Sequence, residues 1–201
     1  MARPRALDYE IKRKAILHRA AELIAQHGYA GTSITMIAQA CGVSKALLYH
    51  YYPDKAAILY DLLLDHLTQL VAAVEAAARA PQDRVYAIAS SLLETYRDAD
   101  AEHQVQIMAL KLLPLEQQEV LRGLERQLVA LLSEAIAEAV PVIGHGPLLK
   151  PVTMSAFGML NWHYLWFREG RGLTRAQYAR LVTDLILSGA VSAAAHVSAA
   201  S

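Results

Sequence analysis

The sequence predicts an all-α protein, and three observations carry that expectation. Apolar residues recur at three- and four-residue spacing along most of the chain. Ala and Leu, which lose little on entering a helix, dominate a composition that is 55% hydrophobic. No segment sustains the period-two alternation of a half-buried strand. Gly and Pro are few and cluster between the periodic segments. At 201 residues the chain can form one generous domain or two small ones sharing a core.

The elements follow in order. Arg3 to Arg5 reads as a loose basic arm. From about Asp8 to His27, the residues Ile16, Leu17, Ala20, Leu23 and Ile24 mark one face of a helix, and Gly28 stops it. Thr32 and Ser33 offer an N-cap hydroxyl for a short helix to about Ala40, with Ile34, Ile37 and Ala38 inward. Gly42 breaks that helix. Ser44 caps another, Lys45 to about Tyr51, which Pro53 ends by pushing the preceding residue out of the α region. A long apolar stripe runs from Ile58 to Val74 and closes at Pro81. Further helices are expected at about 83–98, 102–113, 116–140, 148–168 and 174–196. The punctuation between them is Pro114, then Pro141 to Pro147, then Gly170 and Gly172. The small-residue tail Ala193–Ser201 should fray.

The net charge is zero, but its distribution is uneven. Residues 1–55 hold eight Lys and Arg against four Asp and Glu, so this stretch carries +4 and the remainder −4. A basic head on an acidic body suits phosphate binding at one end, although chance asymmetry gives the same sum. Cys41 is the one cysteine, which excludes an intramolecular disulfide and fits a cytoplasmic setting. Residues 1–8 have no apolar signal segment. The longest apolar runs are broken by polar residues before membrane-spanning length. His18, His27, His66, His103, His145 and His196 read as surface or cap residues. No metal-ligand spacing, phosphate loop or nucleophile elbow appears, so an enzyme and a bound cofactor are not expected.

The stretch Thr32–Tyr52 carries the function. Two short helices meet across Gly42, where a positive φ costs nothing. Ala38 must be small where they cross, and Ile37, Val43, Leu47 and Leu48 form the small core between them. This is a helix-turn-helix, with a second helix suited to the DNA major groove. Ser44, Lys45, Ala46 and Leu47 would approach base edges. Thr32 or Ser33 would meet phosphate from the first helix, and Lys55 from the next one. Tyr49 and Tyr51 are expected on DNA, since tyrosine reaches phosphate through its hydroxyl. His50 is either a base contact or exposed filler, and Tyr52 belongs to the core. Cys41 reads as a small buried residue within the first of the two helices.

At these positions the chain resembles the TetR/AcrR family of transcriptional regulators. The resemblance rests on the basic first helix, Gly28, Thr32–Ile34, Ile37–Ala38, Gly42–Ser44, Leu48–Tyr49 and the Pro53–Lys55 ending. The family usually has histidine at the place of Tyr51 and phenylalanine at that of Tyr52. The resemblance implies a nine-helix, Ω-shaped homodimer. Its N-terminal three-helix DNA-binding domain would occupy residues 10–70, with the helix-turn-helix at about 33–52. A helical ligand-binding and dimerisation domain would occupy 71–201. It further implies release from double-stranded operator DNA when a small molecule fills the second domain.

Phe157–Arg168 holds both tryptophans. Aromatic rings with a few polar groups suit an apolar pocket, so Phe157, Asn161, Trp162, His163, Trp166 and Phe167 are candidate effector contacts. Core or dimer interface is the competing reading. This segment resembles the C-terminal half of regulators of fatty-acid, steroid or aromatic-acid catabolism, which implies an acyl-CoA effector. Arg168, Arg171 and Arg175 could meet CoA phosphates or be solvated charge. Leu181, Val182, Leu185, Ile186, Gly189, Ala190 and Ala193 form one stripe, either a dimer seam with the preceding helix or a face buried within one subunit. Two other functions stay open: a DNA-binding adaptor controlled by a protein partner, and an enzyme or carrier with a vestigial helix-turn-helix.

Overall fold

The computed structural model describes residues 3–97 and 99–199, with side chains from 8 to 197. Among them are nine α-helices, two 3₁₀ turns and no strand. The helices are α1 (Arg3–Gly31), α2 (Ile34–Ala40), α3 (Lys45–Tyr51), α4 (Lys55–Ala77) and α5 (Arg84–Tyr96), then α6 (Asp100–Ala109), α7 (Leu115–Ala139), α8 (Leu149–Asn161) and α9 (Arg175–Ala199). They form two compact units. One runs through Leu67 and adds Ala99–Arg122; the other begins at Thr68 and adds everything from Gly123.

In the first unit α1 packs against α2 and α6. Its core is the buried row Ile16, Leu17, Ala20, Ala21 and Ile24 from α1, with Ile37, Ala38 and Leu48 and the α4 residues Ile58, Leu59, Leu62 and Leu63. The backbone is already helical at Arg3, so the expected loose arm is absent; Pro4 is tolerated because first-turn N–H groups have no intrahelical partner. The side chains of Arg3 and Arg5 lie outside the described residues. Gly28 kinks α1 at φ +73°. Asp54 caps α4 by accepting the Ala57 N–H at 2.8 Å.

In the second unit α9 packs against α5 and α8. Val85, Ile88, Ala89, Leu92 and Leu93 of α5 are buried, as are Ala156, Phe157 and Leu160 of α8, and Ala179, Val182, Ile186 and Ala190 of α9. The expected helix 148–168 stops at Asn161. Two carbonyls that would have extended it are taken by side chains: Tyr178 Oη donates to Met159 O at 2.9 Å, and His163 Nδ1 lies 2.8 Å from Leu160 O. The chain then makes a 3₁₀ turn, His163–Leu165.

Three other expectations are corrected. His66 and His103 are buried rather than surface residues, with ring centroids 6.0 Å apart. Burial, then the neighbouring His103, holds the His66 imidazole down at about 3. Arg175 is buried, ion-paired to Glu169, with its guanidinium 5.1 Å above the Phe167 ring. By length and composition α4 and α9 could each cross a membrane, at mean hydropathy 1.4 and 1.2, because polar interruptions such as Asp61 and Asp65 are sparse. Many of α4's apolar residues form core.

Candidate nucleic-acid interface and effector region

The helix-turn-helix follows from local chemistry. Ser33 Oγ accepts the Met36 N–H at 3.2 Å and starts α2; Ser44 Oγ accepts the Leu47 N–H at 3.1 Å and starts α3. Gly42, at φ +65°, turns the chain between them, and Val43 N–H donates to Ala38 O at 3.0 Å. Cys41 is the C-cap of α2 rather than part of it. It is half-buried, and burial pushes its thiol pKa up.

Only Leu48 of α3 is fully buried. Lys45, Ala46, Tyr49 and His50 face solvent, with Tyr49 47% exposed. The Lys45 ammonium lies 5.8 Å from the Tyr49 ring centroid, one helical turn away. Ser33 and Ser44 are exposed, and each cap hydroxyl keeps its own proton for donation. Leu47, expected in the small core, is 38% exposed. Tyr51 is half-buried and stacks on Tyr9 of α1, centroids 4.6 Å apart at 16°. Tyr52 is buried, as its place before Pro53 suggested.

Two candidate phosphate contacts have internal partners instead. The Thr32 side chain is buried; its hydroxyl meets the carbonyls of Gly28 at 2.9 Å and Leu23 at 3.1 Å, which the kink in α1 brings within reach. The Lys55 ammonium donates to Thr32 O at 2.6 Å and to Tyr29 O, and sits 4.1 Å from the Tyr29 ring centroid. Much of the basic head is likewise paired within the protein. Lys12 meets Asp8, Arg19 meets Glu22, and Arg13 meets Asp61.

That last contact belongs to a network with no local signature in the chain. Asp61 of α4 accepts both Arg13 Nε at 2.9 Å and Arg13 Nη2 at 2.6 Å, and also the Tyr52 hydroxyl at 2.5 Å. The contacts span 48 and 9 positions of sequence. The hydrogen bond to Asp61 raises the Arg13 pKa, and burial followed by the same carboxylate raises that of Tyr52.

The effector candidates divide between core and surface. Phe157, His163 and Phe167 are buried; Trp162 and Trp166 are 50% and 57% exposed. Asn161 accepts the Tyr96 hydroxyl at 3.0 Å. His163 stacks on Tyr96 at 5.8 Å, and Trp166 meets Tyr178 edge-on at 5.0 Å. A cavity of about 260 Å³ in the first unit lies between the end of α1 and α6. Ile24, Tyr29, Val105 and Met108 are among its lining residues, and none of the six candidates is.

A capped helix pair with one buried anchor and a polar outer row defines a helix-turn-helix regulator. Residues 16–62 match the bacterial regulatory proteins of the tetR family, and residues 78–190 match the tetracyclin repressor-like C-terminal domain. The chain belongs to the TetR family of DNA-binding transcriptional regulators, whose members are regulators rather than enzymes. A TetR-family transcriptional regulator from Bordetella parapertussis 12822 is 33% identical, with 87% of this chain and 93% of that one covered at TM-score 0.81. AibR, in complex with isovaleryl coenzyme A and operator DNA, is 27% identical, with 88% and 98% covered at TM-score 0.75. RutR of Escherichia coli (strain K12) is 42% identical over 52 residues, 26% of this chain. That match spans 24% of RutR, so curated relatives of this kind share one segment with the chain.

Proposed function

We propose that this chain is a cytoplasmic, homodimeric repressor that binds a pseudo-palindromic operator through residues 10–70. Release follows when a small apolar effector occupies residues 71–201. The effector class is an acyl-CoA or aryl-CoA thioester of fatty-acid or aromatic-acid catabolism. The observation that carries DNA binding is the exposure of Lys45, Ala46, Tyr49 and His50 on α3 while Leu48 anchors it. Ser33, Ser44, Leu47 and Tyr51 complete the contact set. The AibR complex supports the effector class, since that protein holds an acyl-CoA and operator DNA together.

Dimerisation rests on a second surface. Met154 and Trp162 of the α8 end, and Leu181 and Leu185 of α9, are large, apolar and exposed. Gly158 and Gly189 interrupt that surface, and a Cβ at either would meet nothing within 4 Å. Nothing in the described fold of one chain requires glycine there, whereas close approach of a second copy would.

The test is selection of duplexes from a random pool, followed by titration with Lys45→Ala and Tyr49→Ala. Each substitution should weaken specific binding by about ten-fold or more. Raising the salt should weaken it further, because phosphate contacts release counterions. Unaltered specific binding by both variants would reject α3 as the reading helix. Calorimetry with isovaleryl-CoA and phenylacetyl-CoA tests the effector. The exposure of Trp162 and Trp166 favours a second reading, an adaptor whose aromatic segment is a protein interface. Absence of heat with any thioester selects it.

A further inference from the structure

The recognition helix α3 has only seven residues and one fully buried side chain, Leu48. Burial of one side chain resists lifting more than rotation, because hydrophobic attraction is non-directional. The packing beneath α3 is also incomplete. An apolar cavity of about 60 Å³ lies between α1 and α3, lined by Ile16, Cys41, Val43, Leu47 and Tyr51 among others. The Ser44 cap and the Val43 bond to Ala38 O hold the N-terminal end of α3, and directional bonds at its C-terminal end complete the fixing of its angle.

The geometry points to Asp61, with Arg13 and Tyr52, as the positioning group that sets the orientation of the recognition helix on DNA. Tyr52 directly follows α3, its ring is buried, and its hydroxyl donates to Asp61 Oδ2 at 2.5 Å. Asp61 cannot swing to follow it. Arg13 holds both carboxylate oxygens from α1 in a fork, and Arg13 also reaches Asp65 at 3.5 Å and Glu10 at 3.4 Å. The three groups thus join α1, the end of α3 and α4 through bonds with fixed directions. Tyr51 on Tyr9 adds a stacked contact on the adjacent side. Arg13, Tyr52 and Asp61 need not touch DNA; they act through Lys45, Tyr49 and their neighbours.

This inference rests on the proposed operator binding, and the experiment separates the two. The full-length chain first selects a duplex from a random pool. Tyr52→Phe, Asp61→Asn, Arg13→Lys and the Tyr52→Phe/Asp61→Asn pair are then measured for active fraction, Kd for the selected duplex and Kd for an unrelated duplex. Tyr52→Phe and Asp61→Asn should each raise the specific Kd about ten-fold, the worth of one hydrogen bond to a charged group. Active fraction and non-specific Kd should stay within about two-fold, since phosphate attraction survives a tilted helix. The double variant should be no worse than Asp61→Asn alone. A merely stabilising role would lower the active fraction and leave the specific Kd of the remaining molecules alone. That result, additive effects, or no change in Kd overturns the inference. Should Asp61→Asn not fold, Tyr52→Phe and Arg13→Lys decide by the same criteria. Failure of the wild-type chain to select any duplex removes operator binding itself, and the inference with it.

Discussion

Two aromatic clusters invite comparison, Tyr49–Tyr52 at the end of α3 and Trp162–Phe167 after α8. Both divide their rings between core and surface. Tyr52 is buried while Tyr49 is exposed; Phe167 and His163 are buried while Trp162 and Trp166 are exposed. The first cluster is governed by local punctuation: a serine cap before it and a proline after it fix which residues are helical, and so which face inward. The second has no such marks. Its helix ends where Tyr178, from another helix, and His163, from the next turn, bond the carbonyls of Met159 and Leu160. Aromatic composition alone says nothing about which ring is buried; the position of the helix end does.

The comparison can be broken or sharpened by substitution. The largest effect is expected at Leu48, the sole fully buried side chain of α3. Leu48→Ala should cost about 3 kcal/mol in chemical denaturation and abolish specific DNA binding. A cost below about 1 kcal/mol would mean that the site collapses onto the small cavity beneath.

Acid comes next. His66 titrates at about 3 in the fold against the ordinary 6.5, so between those values the unfolded chain binds a proton that the native one does not. This contribution is complete above pH 6.5 and declines as the pH falls towards 3, by roughly 1.4 kcal/mol per pH unit. Denaturation at pH 7 and pH 5 should therefore differ by about 2 kcal/mol, and His66→Gln should remove most of the difference. An unchanged pH profile in that variant would place the acid sensitivity elsewhere.

Smaller effects separate caps from contacts. Ser44→Ala should lose about 1 kcal/mol of stability, and Thr32→Val a similar amount, since the one hydroxyl proton shared by two carbonyls is lost. Only Ser44→Ala should also change the salt dependence of DNA binding. The smallest effect on the fold belongs to Trp166→Ala, roughly 0.5 kcal/mol or less for a half-exposed ring. If the second aromatic cluster is an interface, sedimentation should show Trp162→Ala and Trp166→Ala weakening self-association while the monomer stays folded. A large loss of monomer stability would instead mark these rings as core.

The sequence made most of the first unit legible because its signals are short-range. Gly28, Ser33, Gly42, Ser44 and Pro53 each act within four residues, and the structure puts caps, breaks and turns where they stand. The errors arose where a local residue type had a distant or bent partner. Thr32 and Lys55 have the chemistry of phosphate contacts, but the kink at Gly28 offers them carbonyls first. Arg13 is one of the cations of the basic head, but its partner Asp61 lies 48 positions away. His66 and His103 looked like surface residues because their pairing joins α4 to α6. The stripe on α9 divides in the fold: Val182 and Ile186 are core while Leu181 and Leu185 are exposed. Helical periodicity marks apolar positions but does not say which neighbour covers them.

Cys41 has a consequence of a different kind. It is the chain's one sulfhydryl, half-buried at the end of α2, and burial keeps it protonated above the ordinary thiol range. Peroxides and alkylating agents react with thiolate, so this sulfur is a poor target at neutral pH. With no second cysteine in the sequence, an oxidised Cys41 has no thiol of its own chain to resolve it.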